Sequence, residues 1–209
     1  SGSDVSDEFN KGINRGPDDS KFIKLKNLYI GFHRLAINGL DDKGMQPFNK
    51  NGVYMICNGE IYNYNKLYTL LDIKPETTSD CEIILDLYLK FGIEFTIKNL
   101  DGVFSFIIVD TANDNIYIGR DPFGVRPLFY FYDYNKKSIG ISSELKTINS
   151  FNRNINQYPP GNYSILDTNF KLITTKYFTL NNIHSNIINT FSPNVNYYES
   201  LIHESLINA

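Results

Sequence analysis

Asn58, Gly59 and Glu60 place a side-chain amide, a backbone N–H with no side chain beside it and a carboxylate in direct succession. They follow residues 52–57, where Val53, Met55 and Cys57 alternate with Tyr54 and Ile56. That alternation reads as a largely buried strand ending at Asn58. The Asn58 amide and the Gly59 N–H are both donors, and two donors aimed at one point can hold a developing oxyanion. The bare backbone at Gly59 would let a substrate approach closely. An Asn-Gly pair is equally a signal for a tight hairpin turn, so the trio reads either as a donor pair or as a turn.

Two more charged residues have a chemical and a structural reading. Arg34 falls among apolar residues in a strand-like run over residues 27–37. It is either an ion-paired or edge residue or a guanidinium fork for a substrate carboxylate. Asp80 precedes the apolar run 81–89. Ser79, with Glu82 three residues later, fits a capping box, which predicts a helix over residues 79–91 with Asp80 in its first turn. There the helix dipole would keep its carboxylate ionised. Asp80 is then a good helix start, and an ionised receptor for a substrate ammonium.

The elements that must position these groups come in an order that fixes the fold class. Residues 7–14 suit the end of a helix that Arg15-Gly16-Pro17-Asp18 stops. Residues 39–51 form a polar connection. Residues 64–71 carry leucines at helical spacing, and Phe91-Gly92 ends the next helix. From residue 103 onward the chain reads as hairpins: 103–110 with 115–120, then 128–133, 138–142, 162–167 and 171–178, with a short helix at 144–148. Strands in hairpins form mostly antiparallel sheets. The expected fold is α+β, with two stacked, mostly antiparallel sheets flanked by helices.

Composition excludes several classes. The 209 residues are 42% hydrophobic and 21% charged with a net charge of −3, as in an ordinary globular protein without a basic footprint for nucleic acid. No apolar run is long enough to span a membrane. Cys57 and Cys81 lie in apolar runs and read as reduced core thiols, which points to a cytoplasmic protein. The three histidines show no zinc spacing, so no metal site is expected.

Taken together, the motifs resemble the glutaminase domain of asparagine synthetase, a class II glutamine amidotransferase with the N-terminal-nucleophile hydrolase fold. The matching stretches are Arg15-Gly16-Pro17-Asp18, Arg34-Leu35-Ala36-Ile37, Asn58-Gly59-Glu60-Ile61-Tyr62-Asn63 and Ser79-Asp80-Cys81-Glu82. They continue with Asp101-Gly102-Val103-Phe104, the run from Arg120-Asp121-Pro122 to Leu128, Ser142-Ser143-Glu144-Leu145-Lys146 and Pro159-Pro160-Gly161. They occur in family order. The resemblance implies a four-layer αββα sandwich. It also implies that Arg34 pairs with the α-carboxylate of L-glutamine and Asp80 takes its α-ammonium. Glu60 and the backbone near Ile37 would line the pocket, while Asn58 and Gly59 form the oxyanion hole.

Two departures stand out. Phe32 occupies a place where many relatives have His. The family's nucleophile, an N-terminal cysteine on a first strand, is absent from the sequence, which starts at Ser1. Ser1 has no strand to place it, and Cys57 should point away from the donor pair. The expectation is that the chain as written does not hydrolyse glutamine. Residues 1–192 are read as the amidotransferase domain. Residues 193–209 are read as a linker and the first helix of a synthetase domain, with residues 197–209 amphipathic. The resemblance implies no cofactor for the glutaminase domain, and ATP and Mg for the synthetase domain, its partner in the same protein. A homodimer is left open. The competing readings are a degenerate domain of the β-lactam synthetase type and a glutamine-binding module.

Overall fold

The computed structural model describes residues 4–37, 42–152, 154–179 and 195–207. The chain divides into two units, Ser1–Tyr177 and Phe178–Ala209. The boundary expected at residues 192–193 lies outside the described residues. In the second unit, helix α4 (Val195–Ile207) exposes Leu201, Ile202 and Leu206.

The first unit is α+β with stacked antiparallel sheets. It begins with α1 (Val5–Asn10) and a 3-10 turn (Ile13–Arg15), then a two-stranded ribbon of β1 (Asp19–Leu25) and β2 (Leu28–Arg34). β1 has no counterpart in the sequence reading. Its exposed, lysine-rich pattern hides the alternation, and its partner β2 supplies the pairing.

The central sheet has six strands in the order β11-β10-β6-β5-β4-β3. These are β3 (Phe48–Lys50), β4 (Val53–Ile61), β5 (Gly102–Asp110), β6 (Asn115–Arg120), β10 (Asn162–Leu166) and β11 (Leu172–Lys176). A three-stranded sheet contains β7 (Phe129–Asp133), β8 (Ser138–Ser142) and β9 (Asn156–Gln157), in the order β8-β7-β9. Every strand pair in these sheets is antiparallel.

Two cores separate the layers. On one face of the six-stranded sheet, α2 (Tyr64–Leu71) and α3 (Glu82–Asn99) pack on Met55, Cys57, Ile61, Phe104, Phe106 and Ile108. On the other face, Ile118 of β6, Leu128 and Tyr158 join Tyr130, Ile139 and Ile141 from the smaller sheet. Burying this apolar surface on both faces is the dominant stabilising contribution.

Three local expectations need correction. β4 does not end at Asn58: it pairs with β5 without interruption from Val53↔Asp110 to Ile61↔Gly102. The tight Asn-Gly turn occurs instead at Asn51-Gly52, both with positive φ (54° and 80°), between β3 and β4, the conformation a two-residue hairpin requires. The segment read as a short helix at residues 144–148 is a 3-10 turn, Leu145–Thr147.

The third correction concerns α3, which starts at Glu82 rather than residue 79. Asp80 therefore lies in the turn before the helix, and the capping box does not form. The Glu82 carboxylate instead accepts hydrogen bonds from the N–H groups of Glu76 and Thr77. Lys50 competes for it too, at 2.7 Å, so a short Ser79–Glu82 closure gives way to a buried ion pair. Gly92 (φ 80°, ψ 175°) breaks α3 where expected, but a second helical stretch continues directly to Asn99.

Candidate active site

The edge of β4 is built one residue at a time. In an antiparallel ladder, a residue's N–H and C=O point to the same side, and the side alternates along the strand. Phe104, the partner of Gly59, directs its N–H to the Asp121 carboxylate and its C=O to the Asp121 N–H. Its polar groups thus face away from β4, and Gly59 directs its own toward the β3 edge.

β3 itself covers that edge only as far as Met55, which pairs with Phe48. At Cys57 the Gln46 side chain takes the place of a strand: its Oε1 accepts from Cys57 N–H (2.6 Å) and its Nε2 donates to Cys57 C=O (3.2 Å). At Ile61 the N–H donates to Asp80 Oδ2 at 2.7 Å. Gly59 lies between them. Its C=O accepts a long contact from the Cys81 thiol at 3.7 Å, and its N–H points along the same edge, between the Gln46 amide and the Asp80 carboxylate. Gln46 carries no chemical signal in the sequence, and only the fold reveals its part.

The requirement for glycine at position 59 has a packing cause. A Cβ there would run into the backbone of Val103 and Phe104 on β5, so no side chain fits, whatever binds.

Asn58 points to the opposite face from Cys57, because side chains alternate along a strand. Its cross-strand neighbour is Ser105, and Ser105 pairs with Arg120 on β6. This row faces the smaller sheet. Ser105 Oγ reaches Pro127 C=O at 3.5 Å, which brings the loop of residues 121–127 next to the row. Among the described residues two buried side-chain atoms have no hydrogen-bond partner, Asn58 Nδ2 and Arg126 Nε. Burying an unpaired donor is costly, so an Nδ2 left without an acceptor marks a place where an acceptor can arrive.

The loop itself is held by two residues that are each 1% exposed. The Arg120 guanidinium donates to the carbonyls of Arg126, Gly124 and Tyr158. The Asp121 carboxylate accepts from the N–H groups of Phe104, Phe123, Val125 and Arg126.

The remaining site residues are placed as follows. Asp80 is 5% exposed and joined to the end of β4 through Ile61. Glu60 is exposed, one residue before that junction. Arg34 ends β2 and is 8% exposed, its C=O accepting from Asp18 N–H and its backbone paired with Asp19. Ile37 is 72% exposed, three residues on. The structure thus brings Asn58, Gly59, Glu60 and Asp80 to one strand end, while Arg34 and Ile37 are carried by the β1–β2 ribbon.

Cys57 and Cys81 are both buried on the helix face. The neighbouring Cys57 thiol, burial and the Asp80 carboxylate all push the Cys81 thiol upward, so it stays protonated and weakly nucleophilic. Among the described residues no group of three or more His, Cys, Asp or Glu is placed to hold a metal ion. Nor is any helix long and apolar enough to cross a membrane.

Known proteins resemble the chain in sequence and in fold. A probable glutamine-hydrolysing asparagine synthetase of Acanthamoeba polyphaga mimivirus is 36% identical over 214 residues, which span 94% of this chain and 39% of that protein. The glutamine-hydrolysing asparagine synthetases of Mesocricetus auratus and Homo sapiens are 42% and 41% identical over 170 residues, 75% of this chain and 30% of each relative. The chain thus spans well under half the length of these relatives. In fold it resembles the glutamine phosphoribosylpyrophosphate amidotransferase of B. subtilis, with a TM-score of 0.57, 22% identity and 72% of this chain covered, against 35% of that one. The family model of the glutamine amidotransferase domain matches residues 2–189, which takes in the Asn58 row, the Asp80 turn and the Arg120–Asp121 loop, and the chain belongs to that family.

Proposed function

We propose that this chain is the glutaminase part of a glutamine-dependent asparagine synthetase. It would release ammonia from L-glutamine for a synthetase domain that uses ATP and Mg to amidate aspartate. The observation that carries the reading is the buried Asn58 Nδ2 without an acceptor, beside a Gly59 N–H that points to the strand edge between the Gln46 amide and the Asp80 carboxylate. A tetrahedral intermediate at the glutamine side-chain amide would place its oxyanion between these two donors. Asp80 would take the α-ammonium, Arg34 the α-carboxylate, and Glu60 and the Ile37 backbone would complete the pocket.

The reaction needs a nucleophile on the Asn58 face. Cys57 and Cys81 are turned to the helix face, so neither is suited to attack. In the family's chemistry an N-terminal cysteine thiol adds to the amide carbon with its own amine as base, ammonia leaves, and water hydrolyses the thioester to glutamate. The 209-residue polypeptide by itself therefore should not turn over glutamine.

The test is ammonia release by the 209-residue chain beside a chain extended by a strand that begins at a processed cysteine. Release by the extended chain alone is expected. Equal, substantial release by both would mean that the nucleophile is already present and has been misassigned.

A further inference from the structure

The turn that delivers Asp80 to β4 is templated by a residue with no direct place in the site. Glu82 is 1% exposed. Its Oε1 accepts from Lys50 Nζ (2.7 Å) and from Glu76 N–H (3.2 Å), and its Oε2 accepts from Thr77 N–H at 2.7 Å. Thr77 Oγ1 then accepts from Ser79 N–H at 3.0 Å, and Ser79 C=O accepts from Glu82 N–H at 3.3 Å. The turn closes on itself around the Glu82 carboxylate, and Asp80 leaves it to meet Ile61 N–H. Lys50 belongs to β3 and is also held by Asp86 of α3 at 2.6 Å. The ion pair therefore ties the turn to the same sheet edge that Asp80 reaches.

We propose that Glu82, anchored by Lys50, is a positioning residue for the ammonium subsite: it sets where the Asp80 carboxylate stands at the end of β4. The inference rests on the reading of Asp80 as the ammonium receptor. It adds that Oδ2, engaged by Ile61 N–H, orients the carboxylate so that Oδ1 meets the ligand. A carboxylate displaced by even an ångström loses a directed hydrogen bond, so the effect of disturbing Glu82 should fall on the amine end of the ligand. A residue that merely stabilised the fold would weaken every ligand alike.

The 209-residue chain itself allows the test, by NMR titration with two probes: L-glutamine and 4-carbamoylbutanoate, which is glutamine without its α-amine. The parent chain should prefer L-glutamine by roughly tenfold, the size of one charge-assisted hydrogen bond. Glu82→Gln should remove most of that preference and leave affinity for 4-carbamoylbutanoate unchanged. Thr77→Ala, which takes away the Ser79 N–H acceptor and the hydroxyl's own bond to Glu82 but keeps the Thr77 N–H on that carboxylate, should shift the preference in the same direction by less. It decides the matter if Glu82→Gln does not fold. A parent chain that binds neither probe overturns the site reading itself. A parent that discriminates, with variants that discriminate equally well or lose both probes in proportion, leaves the site reading intact and overturns the role of Glu82.

Discussion

At the end of β6, Arg120 and Asp121 are buried and saturated: three carbonyls surround the guanidinium and four N–H groups surround the carboxylate. At the end of β4, two strands away in the same sheet, the Asn58 Nδ2 is buried with no acceptor. Both places carry polar residues in sequence motifs of similar appearance, and both face the smaller sheet. They differ in how completely the protein satisfies its own polar groups. A saturated cluster contributes rigidity and specifies one loop conformation. An unsatisfied donor is a local cost that persists where a ligand supplies the missing partner. Saturation sets Arg120 and Asp121 apart from Asn58, although Arg126 Nε, carried by the same loop, is a second buried donor without a partner.

The largest effect expected from this contrast is at Asp121. Asp121→Ala would leave four N–H groups without their acceptor and remove the nearby negative charge that favours the buried Arg120 guanidinium, at a cost of about 3–5 kcal/mol for breaking a buried polar network. That is a large fraction of the roughly 5–15 kcal/mol that holds a domain folded. Urea unfolding should show a much lower midpoint; a shift worth less than 1 kcal/mol on the order-of-magnitude scale for surface changes would mean the cluster is not structural.

The opposite signature is expected at Asn58. Removing a buried donor that has no partner is close to neutral for stability, so Asn58→Ala should unfold within about 1 kcal/mol of the parent. In the cysteine-extended chain the same change should lower kcat by roughly 10²–10³, as loss of an oxyanion donor does. Arg34→Ala should instead raise KM, since it removes binding made equally in ground and transition states. A large stability loss at Asn58 with normal turnover would erase the distinction between the two strand ends.

The sequence carried much of this architecture, for identifiable reasons. The stacked antiparallel sheets follow from strands arriving as hairpins, and 64–71 is a helix, as its leucine spacing requires. Alternation could not reveal where β4 stops, because Asn58 and Glu60 continue the strand by pairing with Ser105 and Val103 rather than by being apolar. Two Asn-Gly dipeptides compete for one hairpin. The partner strand assigns the turn to Asn51-Gly52, a long-range fact invisible in a local window. Ser79 and Glu82 had the spacing of a capping box, but Lys50, thirty-two positions upstream of Glu82, captured the carboxylate. The parts played by Gln46, Lys50 and Glu82 are all tertiary. Their side chains take positions that a backbone strand or a local cap would otherwise hold, and nothing in a linear motif marks that substitution.

The smallest effect concerns a third way of handling charge, between saturation and vacancy. Lys50 sits among Glu82, Asp86 and, at 3.5 Å, Glu76. Burial pushes the Lys50 ammonium down, but Asp86 and Glu82 outweigh it and the group ends above its ordinary value. Burial pushes the Glu82 carboxyl up, and bonds from Lys50 and Thr77 bring it below the ordinary range. Asp86 ends above its ordinary value, with burial the main cause. The Tyr68 hydroxyl, which donates to Asp86, is raised by burial and by Asp86.

The signs then decide the pH response. The raised Lys50 contributes stability that is complete below its ordinary value and lost as pH rises through the folded one. Tyr68 acts in the same direction, because the unfolded chain releases the phenol proton first. In acid the two carboxylates oppose each other. Glu82 loses its contribution as pH falls through its lowered value, while Asp86 gains as it takes up a proton. The cluster should therefore give a shallow acid limb and a clear alkaline one above about pH 10, near the unperturbed Lys and Tyr values. Lys50→Met should invert this balance. Two carboxylates without their cation would both be raised, so the variant should gain stability as pH falls from 7 to 5, by about 1.4 kcal/mol for each tenfold rise in proton affinity, where the parent stays nearly flat. Thermal unfolding of both chains from pH 5 to 11 reads this directly, and parallel profiles would show that Lys50 does not govern the charge state of the turn that carries Asp80.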